Sequence, residues 1–173
     1  MKYLTDDEMG AMVNKAHKPY SVMLQLLRKT GIRVSEMLSL TPSSVDWDNK
    51  FLRVRCAKKR REEYRLLPVD DQLLLDLKQL CAKLKPDQRI FPWSAVWVWK
   101  VVKQVAKALN INPERAHPHA FRHGFGVHAT KCLVPLPVIQ QWLGHSKITT
   151  TQIYTQLAAP ETVQYYKKMW GEG

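Results

Sequence analysis

LGHSKITTTQIYTQ, residues 143–156, is the stretch on which the reading of this chain turns. A helix expected from Pro137 carries Val138, Ile139, Trp142 and Leu143 on its packing face. It stops at Gly144, a residue type that accepts the left-handed backbone of a helix exit. His145 therefore falls at a helix exit rather than inside a helix. Thr149 and Gln152 form a capping pattern, so a new helix is expected there with Tyr154 in its first turns. The break matters, because in one unbroken helix at 100° per residue His145 and Tyr154 would point to opposite faces. With a cap between them, imidazole and phenol can converge.

Upstream, HPHAFRH (117–123) opens another helix. Pro118 suits a first helical position, with His117 helping the chain enter. Phe121, Phe125 and Cys132 mark a buried face, while His119 and Arg122, three apart, share a different side. Gly124 and Gly126 weaken this helix, which implies a close approach of another backbone. Further back, Val22, Met23, Leu26 and Leu27 define a helix from Pro19 that Gly31 ends, and Arg33 opens a short helix through Val34, Met37 and Leu38. Arg33 and Glu36 can then project together. Thr5 and Glu8 form a capping box before Met9, Met12 and Val13.

Imidazoles, guanidiniums and a phenol suit attack on a phosphodiester. Such a reaction needs in-line geometry and stabilisation of negative charge on the non-bridging oxygens. A guanidinium stays protonated and grips two phosphate oxygens at once. Tyrosine, with a reference pKa near 10, needs a nearby base or cations before it attacks, and a histidine near neutrality can take its proton.

The composition agrees. Lys and Arg outnumber Asp and Glu by 27 to 15, a net charge of +12, which calls for a polyanionic partner, nucleic acid ahead of an acidic membrane surface. At 173 residues with 45% hydrophobic content, the chain has enough material for one core. Cys56, Cys81 and Cys132 are odd in number and form no CxxC pair, so neither a disulfide framework nor a cysteine-rich zinc site is suggested. His119 and His123, like His128 and Cys132, have helical zinc-ligand spacing, but Arg122 would repel a cation and no glutamate follows the first histidine. His123 and His128 read as structural and no metal or cofactor is expected. The N-terminus lacks an apolar signal core and no run of about 18 apolar residues exists, so no membrane partner is expected and the cytoplasm is the expected compartment.

Between these motifs, Phe51 to Cys56 and Tyr64 to Val69 read as an antiparallel hairpin, with Pro68 suited to the end of an edge strand. Its basic residues Arg53, Arg55, Lys58, Lys59, Arg60, Arg61 and Arg65 are costly to bury and easily laid on phosphates. Asp70 caps a helix bearing Leu73, Leu77, Leu80 and Leu84. A helix from about Ser94 to Leu109 turns Ala95, Trp99, Val102 and Ala106 inward and Lys100, Lys103 and Lys107 to a polar stripe that can meet DNA. The six tryptophans read as core, with Trp142 behind His145 and Trp170 anchoring the tail. The fold class expected is mainly α with a small antiparallel β-hairpin or sheet, in a single domain spanning 1–173. The tail, 158–173, adds a helix after Pro160 for docking or oligomerisation.

TGIRVSEMLSL (30–40), HPHAFRH and LGHSKITTTQIYTQ resemble, in order and spacing, the three signature blocks of the tyrosine recombinase or phage integrase family. By this resemblance Arg33 is the first-block arginine, His119 and Arg122 the His-x-x-Arg pair, His145 the third-block histidine and Tyr154 the nucleophile. The hairpin lysine falls in CAKKRREEYRLLPV, where Lys58 fits best and Lys59 is the adjacent alternative, since the family's flanking glycines are missing. Glu36 resembles the acidic residue of the first block, a support for the site rather than a reactant. The resemblance implies a 3′-phosphotyrosyl intermediate on double-stranded DNA without cofactor, and four protomers on two duplexes even where the free protein is monomeric. Integration, excision, inversion or resolution would all fit, as would topoisomerase-like nicking and closing or a catalytically silent DNA-binding accessory role. Most members also carry an N-terminal DNA-binding domain outside this stretch, so either a piece of a longer recombinase or a small form like the fimbrial phase-switch invertases is implied.

Overall fold

Thr5 starts the first helix as its sequence predicts. Its hydroxyl accepts from the Glu8 amide at 3.2 Å and the Glu8 carboxylate accepts from the Thr5 amide at 2.8 Å, closing a capping box at the head of α1 (Asp6–Lys15). The computed structural model describes residues 3–55, 64–144 and 159–171. Met9 and Met12 of α1 are buried, and α1 packs on α2 (Tyr20–Thr30), whose Val22, Met23, Leu26 and Leu27 are buried on the face their spacing marks. Gly31 ends α2 at φ 60°, and a Cβ there would lie 2.6 Å from Phe125 and 2.8 Å from Leu143. Backbone and packing both demand glycine at that point. The short α3 (Val34–Met37) follows at once.

A single 3-10 turn (Pro42–Ser44) leads into a three-stranded antiparallel sheet of β1 (Val45–Asp46), β2 (Phe51–Arg55) and β3 (Tyr64–Pro68), in that spatial order. The expected hairpin is β2 and β3, with Val54 opposite Arg65, and Pro68 ends an edge strand. Two-residue β1 is too short to show a period in sequence. Asp70 caps α4 (Asp71–Cys81) through the Leu73 amide at 2.7 Å and also pairs with Lys29, tying α4 to α2.

In α5 (Ala95–Ala108) the buried residues are Val98, Val101, Val102 and Ala106. This corrects the expected face: Ala95 is exposed and Trp99 is 41% exposed. The valines supply a second apolar stripe, offset by one residue, that fits the core without a large ring. Trp97 is also exposed, so the tryptophans are not uniformly core, and only Trp142 is fully buried.

His117 caps α6 (Pro118–Lys131) by accepting from the Ala120 amide at Nδ1, 3.1 Å away. A Cβ on Gly124 would come 2.4 Å from the Leu4 carbonyl oxygen, the backbone approach its position implied. Gly126 meets only ordinary contact, so no close approach requires glycine there. Cys132, expected on the buried face with Phe121 and Phe125, is only partly buried. Then α7 (Leu136–Leu143) buries Val138, Ile139, Trp142 and Leu143 and exits through Gly144 at φ 62°. The last helix, α8 (Ala159–Trp170), begins before Pro160 rather than after it. It lies on this chain's own core: the Trp142 indole N–H donates to Thr162 at 3.4 Å, and Tyr166 and Met169 are buried. Trp170 lies 4.9 Å from the His128 ring, with the Arg28 and Lys29 cations over the indole. His123 stacks on Tyr3.

Candidate active site

Arginines from three separate elements meet at the last turn of α7. Arg65 of β3 donates from Nε to the Trp142 carbonyl at 2.8 Å, Arg122 of α6 donates to the Leu143 carbonyl, and Arg33 donates to the Gly144 carbonyl at 3.3 Å. The final carbonyls of a helix have no intrahelical partners and form the negative end of its dipole. Three consecutive carbonyls are here satisfied by three guanidiniums. Arg122 also donates to the Gly31 carbonyl at 2.8 Å, so it staples the ends of α2 and α7 together. The chain leaves this junction directly into His145.

Glu36 balances the cluster. It is 3% exposed, and its carboxylate accepts from Arg65 at 2.9 and 2.7 Å, from the Arg33 guanidinium at 2.9 Å and from the Arg33 amide at 3.0 Å. Burial raises the Glu36 pKa, but the hydrogen bonds and charge of Arg65, with those of Arg33, outweigh it and hold the carboxyl below its ordinary value. Glu36, expected to support the site, is thus held by two of the clustered arginines.

With one carboxylate against three guanidiniums, the cluster keeps an excess of positive charge. Burial, and then the charge of Arg33, lower the Arg122 pKa to about 10, with Arg65 adding to the effect and Glu36 opposing it. Arg122 remains charged at neutral pH, yet it is a crowded and partly desolvated cation that an anion would relieve.

Arg65 is the member of the cluster that sequence reasoning does not single out. The sequence reads it with the basic residues of the hairpin laid on phosphates, whereas it is 6% exposed. The available signal was strand period: residue 65 shares a face with the buried Leu67, and an inward arginine needs a buried acid.

His119 is exposed and lies edge-on to His117, ring centroids 6.4 Å apart. His117 in turn stacks nearly parallel on Trp99 at 5.7 Å. Burial, followed by the charges of His119 and Lys103, lowers the His117 pKa and favours the neutral ring that its capping role requires. Lys103 sits over Trp99 at 4.9 Å and donates to the Pro113 carbonyl at 2.7 Å. Lys100 and Lys107 are exposed.

Of the predicted site residues, Arg33 and Arg122 are brought together at the exit of α7. Lys58, His145 and Tyr154, with Lys59, Arg60 and Arg61, lie outside the described residues. Among the described residues no group of His, Cys, Asp and Glu could hold a metal ion, and no helix is long and apolar enough to cross a membrane.

The sequence model of the phage integrase family matches residues 2–161. The chain belongs to the phage integrase family. Among curated relatives of this family member, the tyrosine recombinase XerD of Halalkalibacterium halodurans is 34% identical, aligned over 90% of this chain and 57% of its own length. The chain thus spans little more than half of that relative. Among solved structures, the integrase from mycobacterium phage Brujita superposes with a TM-score of 0.76 at 17% identity, over 96% of this chain and 57% of its own. The XerH site-specific recombinase, in a pre-cleavage complex with its difH substrate, gives 0.73 at 18% identity, over 98% of this chain and 55% of its own. At these identities the structures share the fold, and this integrase-family fold is mainly α with a small antiparallel sheet, as expected.

Proposed function

We propose that this chain is the catalytic domain of a site-specific recombinase that cleaves and rejoins double-stranded DNA through a 3′-phosphotyrosyl intermediate. The observation that carries the proposal is the convergence of Arg33 and Arg122, from the first two motif blocks, on the helix exit that leads into the third. Each keeps N–H donors beyond those its carbonyl partners use.

In the proposed reaction the Tyr154 oxygen attacks phosphorus, a bond forms between them, and the bond from phosphorus to the 5′-oxygen breaks. Arg33 and Arg122 neutralise the non-bridging oxygens. His145 and His119 hold the phosphate and take up the phenol proton. Lys58, or its neighbour Lys59, gives a proton to the departing 5′-oxygen. A 5′-hydroxyl from another strand then reverses these steps, and because the covalent link stores the bond energy no cofactor is consumed. Lys59, Arg60, Arg61, Lys100 and Lys107 supply flanking phosphate contacts, while Lys103 is already engaged by Pro113 and Trp99. The working assembly is a tetramer on two duplexes. The neighbouring fold of XerH, solved with its difH substrate, supports duplex DNA as the partner.

A suicide substrate nicked beside the cleavage point tests this. Wild-type protein should become covalently attached to DNA, and Tyr154→Phe should bind without attaching. Good binding with no wild-type adduct refutes the catalytic proposal. Relaxation of supercoiled plasmid lacking any specific site would replace recombination with nicking and closing.

A further inference from the structure

We infer that Arg65 is a positioning residue of the strand-transfer site, an inference that rests on the function proposed above. Its side chain is 5% exposed and cannot reach a duplex lying outside the fold. It nevertheless touches both halves of the site. Two of its nitrogens clamp both oxygens of Glu36, at 2.9 and 2.7 Å, and Glu36 in turn holds the Arg33 guanidinium and the Arg33 amide. Its third nitrogen holds the Trp142 carbonyl at 2.8 Å. Its guanidinium also lies 3.1 Å from where a Gly144 Cβ would be, so the left-handed exit of α7 is packed directly on Arg65.

These contacts use the whole planar fork. Both carboxylate oxygens are met by the two terminal nitrogens while Nε addresses a carbonyl in a different direction. A lysine ammonium offers three donors from a single point and cannot span this arrangement. Arg65 thereby fixes two quantities at once: the direction in which Arg33 projects, and the direction in which the backbone leaves Gly144 towards His145. An ordinary structural ion pair would hold the fold together without being shared between two blocks of one site. The sheet is then part of the catalytic apparatus, since β3 carries the residue that aligns the others.

Single-turnover cleavage of the suicide substrate, DNA affinity by fluorescence anisotropy and thermal unfolding are to be measured for Arg65→Lys, Glu36→Gln and the double variant. Expected is a fall in cleavage of roughly 10²-fold for Arg65→Lys, as a misplacement of about 1 Å produces, with DNA affinity changed less than about threefold. Because Arg65 and Glu36 align Arg33 as one unit, the losses of the two single variants should fall well short of multiplying in the double variant. Wild-type rates in folded Arg65→Lys, losses that multiply in the double variant, or a fall in affinity that accounts for the fall in cleavage would each overturn the inference. If Arg65→Lys does not fold, Gly144→Ala perturbs the same contact while retaining Arg65, and it must show slowed cleavage with spared affinity. Absence of an adduct with wild-type protein would instead refute the proposed function, so the two failures are distinguishable.

Discussion

The Arg33 guanidinium meets the Gly144 carbonyl 111 residues further along the chain, at 3.3 Å. That bond is longer than those of Arg65 to Trp142 and Arg122 to Gly31, both 2.8 Å, and the Arg33 side chain is 28% exposed against 5% for Arg65. Arg33 is therefore the guanidinium that can turn towards an incoming anion at least cost, while Arg65 is locked. The same cluster satisfies a helix terminus and, in the proposed reaction, would present its charge to a phosphate.

Arg122 is expected to be the most sensitive member of that cluster. Replacement by alanine should slow single-turnover cleavage by roughly 10³- to 10⁵-fold, the range for losing an arginine that stabilises a phosphoryl transition state. Arg122→Lys should recover little, because one ammonium cannot serve the Gly31 and Leu143 carbonyls and a phosphate together. Near-normal cleavage in either variant would remove Arg122 from the transition state.

Glu36 gives the fold a defined acid sensitivity. Its folded pKa lies below the ordinary 4.5, so its contribution to stability is complete above the unfolded pKa and is lost as pH falls through the folded value. Glu36→Gln should cost about 3–5 kcal/mol at neutral pH, as breaking a buried ion pair does. Wild-type and variant unfolding midpoints should then converge on acidification below about pH 4.5. A constant gap between the two midpoints down to pH 3 would show that the pair carries no such linkage.

Gly31 joins fold and site at one position. Gly31→Ala would place a Cβ against Phe125 and Leu143 at φ 60°, and it would shift the carbonyl that Arg122 holds. Left-handed backbone costs an alanine about 1–2 kcal/mol and overpacking adds about 1–3 kcal/mol. Urea unfolding should show a loss in the summed range, with cleavage reduced even where the variant is fully folded. Unaltered stability would mean that α2 can end differently.

Helix ends were the most legible part of this fold, because caps are local chemistry. Thr5, Asp70, Gly31 and Gly144 each act within a few residues of their own backbone, and each ends or begins a helix as expected. The face of α5 was not legible: valines and tryptophans both offer apolar stripes, and which stripe turns inward depends on α6 and α3, which the local pattern does not contain. Arg65 was illegible for a related reason. Charge alone places an arginine in solvent, and its pairing with Glu36, across 29 positions, together with its bond to the Trp142 carbonyl, reverses that preference. Arg33 and Arg122 could be named from their motifs, but the carbonyls that hold them could not.

The lysine stripe of α5 separates into contacts that should respond differently to salt. Each phosphate contact removed lowers the slope of log K against log salt by about 1. Lys100→Ala and Lys107→Ala, at exposed positions, should each show that change on a duplex target. Lys103→Ala should show less than half of it, since its ammonium is committed to the Pro113 carbonyl at 2.7 Å and to the face of Trp99. Anisotropy titrations from about 50 to 200 mM salt resolve differences of this size. An equal slope change for all three would mean that Lys103 releases Pro113 when DNA is bound, freeing the face of Trp99, the ring that stacks on His117.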